Sequence, residues 1–250
     1  MNTPPLTKSI LKAVPEEFGK DAVTHYYDTA TQNLHATFAS NNNLFEGIKL
    51  INNLFDSIRN SISQDSDMVF GLMLMRCHSS LLASSQLAGS GQIIESFVVT
   101  RAALEASLYA LYLDSEISFQ EVWLNRNTSP EAKKKCKELF KTTKLKKHLN
   151  DISPRHATVF DQLYERTIDF GAHPNQLSVT STSKIHHQEN RLLTITNVIE
   201  SDPELIELAL RNCAQVAICS LNIFGLMRKE RFAILNIDTN IDKISGILNL

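Results

Sequence analysis

From Leu44 onward, apolar residues return at helical spacing. Leu44, Ile48, Ile51, Phe55, Ile58 and Ile62 form one stripe, as positions three and four apart do on a helix. The pattern predicts an amphipathic helix over about 44–63. A second apolar segment, 68–88, mixes Met and Leu with Ser79, Ser80, Ser84 and Ser85, small side chains that let helices approach closely. The third, 92–113, is apolar nearly all round, with Ile93, Ile94, Phe97, Val98, Val99, Leu104, Leu108, Leu111 and Leu113. A helix without a polar face belongs in the middle of a bundle.

Stop and start signals divide the rest. Pro15, Glu16 and Glu17 suggest a helix over 16–39 whose weak apolar pattern makes it peripheral. Asn41 to Asn43 and Asp65 to Asp67 offer caps, and Gly89-Ser90-Gly91 ends the 68–88 helix. A short helix over 118–126 precedes a lysine-rich helix over 130–149. Ser153-Pro154 starts another that runs to about 171, where Gly171 and Pro174 stop it. Residues 176–200 change character: LSVTST and RLLTITNVI alternate in part and predict a β-hairpin at about 177–199. Asp202-Pro203-Glu204 opens the last long helix, 203–228, with Arg228, Lys229 and Arg231 suited to its C-terminal end. Ile237, Ile241, Ile244 and Leu248 form a last stripe, a tail helix packed on the body or on a partner subunit.

These elements predict an all-α bundle with one small hairpin, a single domain over 1–250 with a peripheral 1–40 segment and a 229–250 tail. Eight glycines and seven prolines in 250 residues favour long helices over many strands and turns. The net charge of −2 supplies no global attraction to nucleic acid or membrane. Cys77, Cys136, Cys213 and Cys219 form no CxxC pair and read as buried free thiols of a reducing compartment. The N-terminus lacks an apolar run of signal-peptide length. The longest apolar run, Met68 to Met75, is broken by Arg76 and His78 and falls short of the roughly 20 residues that span a bilayer. A soluble, cytoplasmic protein with no membrane partner is expected.

Two charge features stand out. Arg101 and Glu105 lie four apart on the most apolar helix, where an unpaired charge is costly. They are either a structural ion pair or part of a site. The second is the run of eight lysines between 133 and 147, opposed by Glu131, Glu138 and Asp151. It is either a solvated face or a phosphate-contacting patch formed by Lys133, Lys134, Lys137, Lys141 and Lys144.

The stretch YERTIDFGAHPN, Tyr164 to Asn175, carries the candidate chemistry. On a continuous helix Arg166 and His173, seven apart, share a face. Asp169 falls between them, where it could orient the imidazole or pair with Arg166. Arg offers a planar donor fork to phosphate, and His can give or take a proton near neutral pH.

This stretch resembles the Arg, four-to-six residues, His motif of the HEPN superfamily, all-helical domains of bacterial toxins and defence ribonucleases that include non-catalytic members. With the RAALEASLYAL helix before it, the string is similar to a group of uncharacterised bacterial HEPN-like proteins, over about 66–228. The resemblance implies that Arg166 and His173 are catalytic, with Arg101, Glu105, Tyr164, Asp169 and Asn175 in support. Where the family usually has Asn, Asp or His after its Arg, this chain has Thr167. It further implies a metal-independent ribonuclease without cofactor, a homodimer, RNA bound along the lysines, and an antitoxin or other protein partner. Two alternatives stay open. His173, His186 and His187 could bind zinc, although adjacent histidines rarely chelate one ion. A non-catalytic helical module, for protein interaction or nucleotide binding, would use the tail stripe for a partner.

Overall fold

The 68–88 and 92–113 segments and the helix that opens at Asp202-Pro203 form the centre of the bundle. The structure, a computed structural model, describes residues 14–62, 67–172, 176, 180, 183–188, 191–196 and 198–250, and of residue 172 and the 183–188 and 191–196 strands it describes the backbone. Helices α1 (Ala22–Ser40), α2 (Asn42–Asn60), α3 (Met68–Gly89), α4 (Ile93–Ser115), α5 (Ile117–Leu124), α6 (Pro130–Leu139), α7 (Thr142–Ile152) and α8 (Pro154–Thr167) follow in order. A π-helical turn, Ile168–Ala172, continues α8. Strands β1 (Ser183–Gln188) and β2 (Arg191–Thr196) pair antiparallel, in register from Ser183 opposite Thr196 to Gln188 opposite Arg191. Helices α9 (Pro203–Met227), α10 (Lys229–Ile234) and α11 (Ile237–Leu248) complete an all-α fold.

Helices α3, α4 and α9 pack on one another at the centre. Phe70, Leu74, Phe97, Leu104, Leu108, Leu210, Leu221 and Phe224 are buried there, each stabilising the fold by about 1.5–3 kcal/mol through removal from water. Ser84, Ser96 and Ser107 are buried between these helices and return their hydroxyls to the carbonyls of Leu81, Ile93 and Leu104, and the Ser84 side chain also bonds Cys213 on α9. Helix α9 is the one helix among the described residues long and apolar enough to cross a membrane, and most of it is buried in the bundle.

Three helix boundaries depart from the sequence expectation. The first helix begins at Ala22 and not at 16, because Asp21 caps it, accepting from the Val23 and Thr24 amides, while Gly19 turns the chain at φ +90°. The 130–149 lysine helix is two helices, broken at Phe140, whose ring is buried and stacked on Tyr109. Helix α4 runs on to Ser115 and so carries a further charge, Asp114.

The tail stripe is spent on the body. Ile237, Ile241, Ile244 and Leu248 are all buried, and α11 packs on α2. Leu248 sits over Gly47 so closely that a Cβ there would approach it to 2.5 Å. The stripe is therefore not a free surface for a partner.

Candidate functional site

Helix α8 divides the expected site residues between two faces. Residues two apart on an α-helix project about 200° apart, so Tyr164 and Arg166 look in different directions. Tyr164 faces α4. Arg101 donates from Nε to Glu105 Oε1 at 2.9 Å and from Nη2 to Tyr164 Oη at 2.8 Å, and Tyr164 donates on to Glu105 at 3.1 Å. The Arg101 guanidinium also lies 4.9 Å from the Tyr164 ring centre, and the Lys146 ammonium 4.4 Å from it. Lys146 pairs with Asp161 at 2.8 Å.

The sequence expectation that Arg101 and Glu105 are buried charges is corrected. Their side chains are 23% and 43% exposed, because the α4 edge that carries them is only partly covered by α8 and α7. Burial alone would lower the Arg101 pKa. The hydrogen bond with Glu105 and the charge interactions with Tyr164 and Glu105 outweigh it and hold the guanidinium above its ordinary value. Burial, then the nearby Glu105 charge, pushes the Tyr164 hydroxyl up, so it stays a protonated donor. The cluster is a closed circuit of satisfied donors and acceptors.

Arg166 faces α9 instead, where its Nη1 donates to Gln215 Oε1. It lines a cavity of about 330 Å³ between α8, α9 and the chain end, with Arg155, Gln162, Gln215, Asn222 and Ser245 as polar walls and Val159, Leu163 and Ile218 as apolar ones. Arg155 and Asn222 also border a neighbouring cavity of about 440 Å³ that holds His156, Lys229, Asp238 and Asp242. Ser153, expected to cap α8, bonds the His156 ring at Nδ1 instead, at 2.7 Å. Asp169 is exposed, and among the described residues it makes no ion pair with Arg166. Thr167 is fully buried and donates to the Tyr164 carbonyl at 2.7 Å, so this position faces packing and not the cavity.

The seven-residue spacing of Arg166 and His173 does not pass through regular α-helix. The π-turn 168–172 lies between them, and its i→i+5 bonding takes an extra residue per turn. Regular α-helical turning therefore ends at Thr167. His173, Pro174 and Asn175 lie outside the described residues, as do the side chains of His186 and His187. The turn is pressed on α4: a Cβ at Gly171 would lie 2.7 Å from the Ile94 carbonyl oxygen and 3.1 Å from the Val98 nitrogen. Backbone cannot yield as a flexible side chain can. Gly171→Ala is expected to cost about 1–3 kcal/mol through overpacking, read as a lower urea midpoint. An unchanged midpoint would mean that the turn does not depend on this approach.

The lysines are distributed by the break at Phe140. Lys133, Lys134, Lys137, Lys141 and Lys144 are exposed. Lys141 pairs with Glu138 at 2.6 Å and Lys144 donates to the Glu138 carbonyl at 2.9 Å, so these two close the α6–α7 corner. Lys133, Lys134 and Lys137 have no ion-pair partner among the described residues.

Sequence reasoning missed a further charged group. Arg228, read there as a helix-end residue, grips Asp114 with two nitrogens at 2.9 and 3.0 Å and Asp67 at 3.0 Å, while Arg231 holds Asp67 at 2.6 Å. No local spacing connects residues 67, 114 and 228, so only the fold could reveal it. Half-buried Arg101, Arg211, Arg228 and Arg231 each face a carboxylate. Arg166 and Arg126 are bonded to neutral amides, Gln215 and Asn127, and each lines a cavity.

Comparisons with protein-family models, with curated proteins and with solved structures returned no match to this chain.

Proposed function

We propose that this chain is a HEPN-like helical protein that acts on RNA as a metal-independent ribonuclease, with Arg166 as the phosphate-binding group and His173 as the proton-transfer group. One observation carries the reading: the Arg166 guanidinium lines an open cavity and is held by an amide, not a carboxylate. A neutral partner orients the fork and leaves its charge uncompensated, which suits an incoming phosphate. In the reaction His173 would take the proton of the RNA 2′-hydroxyl or return one to the leaving oxygen. Arg166 would stabilise the charge that builds on the phosphoryl oxygens as the 2′-oxygen attacks phosphorus. Exposed Lys133, Lys134 and Lys137 would add sequence-independent, salt-sensitive attraction. A homodimer, and a cognate protein that restrains the activity in a toxin or phage-defence setting, belong to the same reading.

The test is cleavage of a labelled single-stranded RNA by the purified protein in excess chelator. Arg166→Ala and His173→Ala are each expected to slow cleavage by about 100-fold or more, with unchanged helical circular dichroism. Cleavage that survives both substitutions would place the chemistry elsewhere. A second reading, a non-catalytic nucleotide-binding module, is favoured by the size of the Arg166 cavity, about 330 Å³, which suits a small ligand. Nucleotide binding that is lost in Arg166→Ala, from a protein that never cleaves RNA, would establish it.

A further inference from the structure

Away from the residues that line the Arg166 cavity, α4, α5 and α6 border an open cavity of about 540 Å³ lined by Tyr109, Trp123, Leu124, Arg126, Asn127 and Cys136. Two aromatic rings and Leu124 give it apolar walls suited to a flat ring. Tyr109 is fixed for this role: Phe140 stacks on it at 5.4 Å and its hydroxyl donates to the Phe140 carbonyl at 3.3 Å. Arg126 supplies a half-buried cation whose partner is the neutral Asn127 side chain at 3.1 Å, and among the described residues no carboxylate lines the cavity. The nearest anion along this edge of α4, Glu105, is already held by Arg101. Cys136 is buried and its thiol is pushed up by burial, so it serves as wall and not as nucleophile. Lys133 lies one turn before Cys136 on the same side of α6, exposed and without an ion-pair partner among the described residues.

Aromatic walls together with an uncompensated guanidinium select a ligand that is flat and apolar in one part and anionic in another. A purely apolar ligand would leave Arg126 facing it without a partner, and a bare anion would leave the rings empty. We propose that this cavity binds a nucleoside monophosphate, with the base against Trp123 and Tyr109 and the phosphate on Arg126 and Lys133. The site lies apart from Arg166 and does not rest on the ribonuclease reading.

Trp123 is the one tryptophan in the chain, so its fluorescence reports this cavity alone. Titration of the full-length protein with AMP is expected to quench and shift that emission, with adenosine weaker and inorganic phosphate without effect. By calorimetry, Arg126→Gln should weaken AMP by about tenfold or more and leave adenosine unchanged. Trp123→Ala should weaken both by a similar factor, and Trp123→Phe should retain binding because it keeps an aromatic face. Arg166→Gln should leave AMP binding here as it is. The proposal is overturned if millimolar AMP leaves the emission unchanged, if adenosine binds as tightly as AMP, or if indole-3-acetate binds as tightly as AMP. It is equally overturned if Arg166→Gln abolishes AMP binding, which would assign the nucleotide to the α8–α9 cavity.

Discussion

Arg228→Met is expected to destabilise the protein by up to about 3 kcal/mol, the lower end of what breaking a buried ion pair costs, because Asp67 is buried while Arg228 and Asp114 are 23% and 28% exposed. Arg228 holds both oxygens of Asp114 and one of Asp67, and its guanidinium lies 4.9 Å from the Phe70 ring centre. Asp67 is 8% exposed, so without Arg228 it depends on Arg231 alone. The three elements joined here are the start of α3, the end of α4 and the turn after α9. The network thus closes the central three-helix unit at one end. The pH dependence follows from Asp67. Burial raises its pKa, but hydrogen bonds from Arg231 and Arg228 outweigh this and leave it below its ordinary value. A carboxyl depressed in the folded state stabilises the fold above its unfolded pKa, near 4. That contribution disappears as pH falls through the depressed folded value. In Arg228→Met the depression shrinks, and the loss of stability on acidification moves to higher pH. Urea unfolding at neutral pH and along an acid series measures both effects. A loss under about 1 kcal/mol at neutral pH would show that the network is solvated and of little weight.

Gly91→Ala is expected to cost on the order of 3 kcal/mol, combining strain at a left-handed position with a backbone collision. Gly91 adopts φ +82°, and a Cβ there would lie 2.0 Å from the Glu200 carbonyl oxygen. That carbonyl accepts from Asn33 Nδ2 at 2.9 Å, and the Glu200 amide donates to the Gly91 carbonyl at 2.8 Å. Glu200 Oε1 in turn accepts from the Ser201 and Asp202 amides ahead of α9. One glycine therefore joins α1, the α3–α4 turn and the entry to α9. A methyl group would have to separate all three. The unfolding midpoint should fall, and the Glu200 amide should exchange faster. A wild-type midpoint would show that the approach is not required.

The lesson for sequence reading lies in which signals are local. The α2 stripe, the apolar α4 segment and the Asp202-Pro203 start of α9 were legible because each depends on periodicity or capping within a few residues. The Arg101–Glu105 pair was legible for the same reason, being four apart on one helix. Gly91 read only as a connector, since the sequence does not say that Glu200 approaches it. Arg166 was singled out, but not the side of α8 it occupies. Trp123 and Tyr109, fourteen residues apart on different helices, gave no signal of a shared cavity.

By itself, then, the sequence determined the all-α class, the central place of α4, and the residues worth watching, because helix formation and apolar burial are set by composition at short range. The tertiary structure decided the rest. It divided Tyr164 from Arg166 across α8, closed Arg101 into a satisfied circuit, covered the tail stripe with α2, and left Arg126 and Arg166 on neutral partners beside cavities. Those outcomes depend on which charges and surfaces meet across tens to more than a hundred residues of chain, and pairing at that distance is fixed by packing alone.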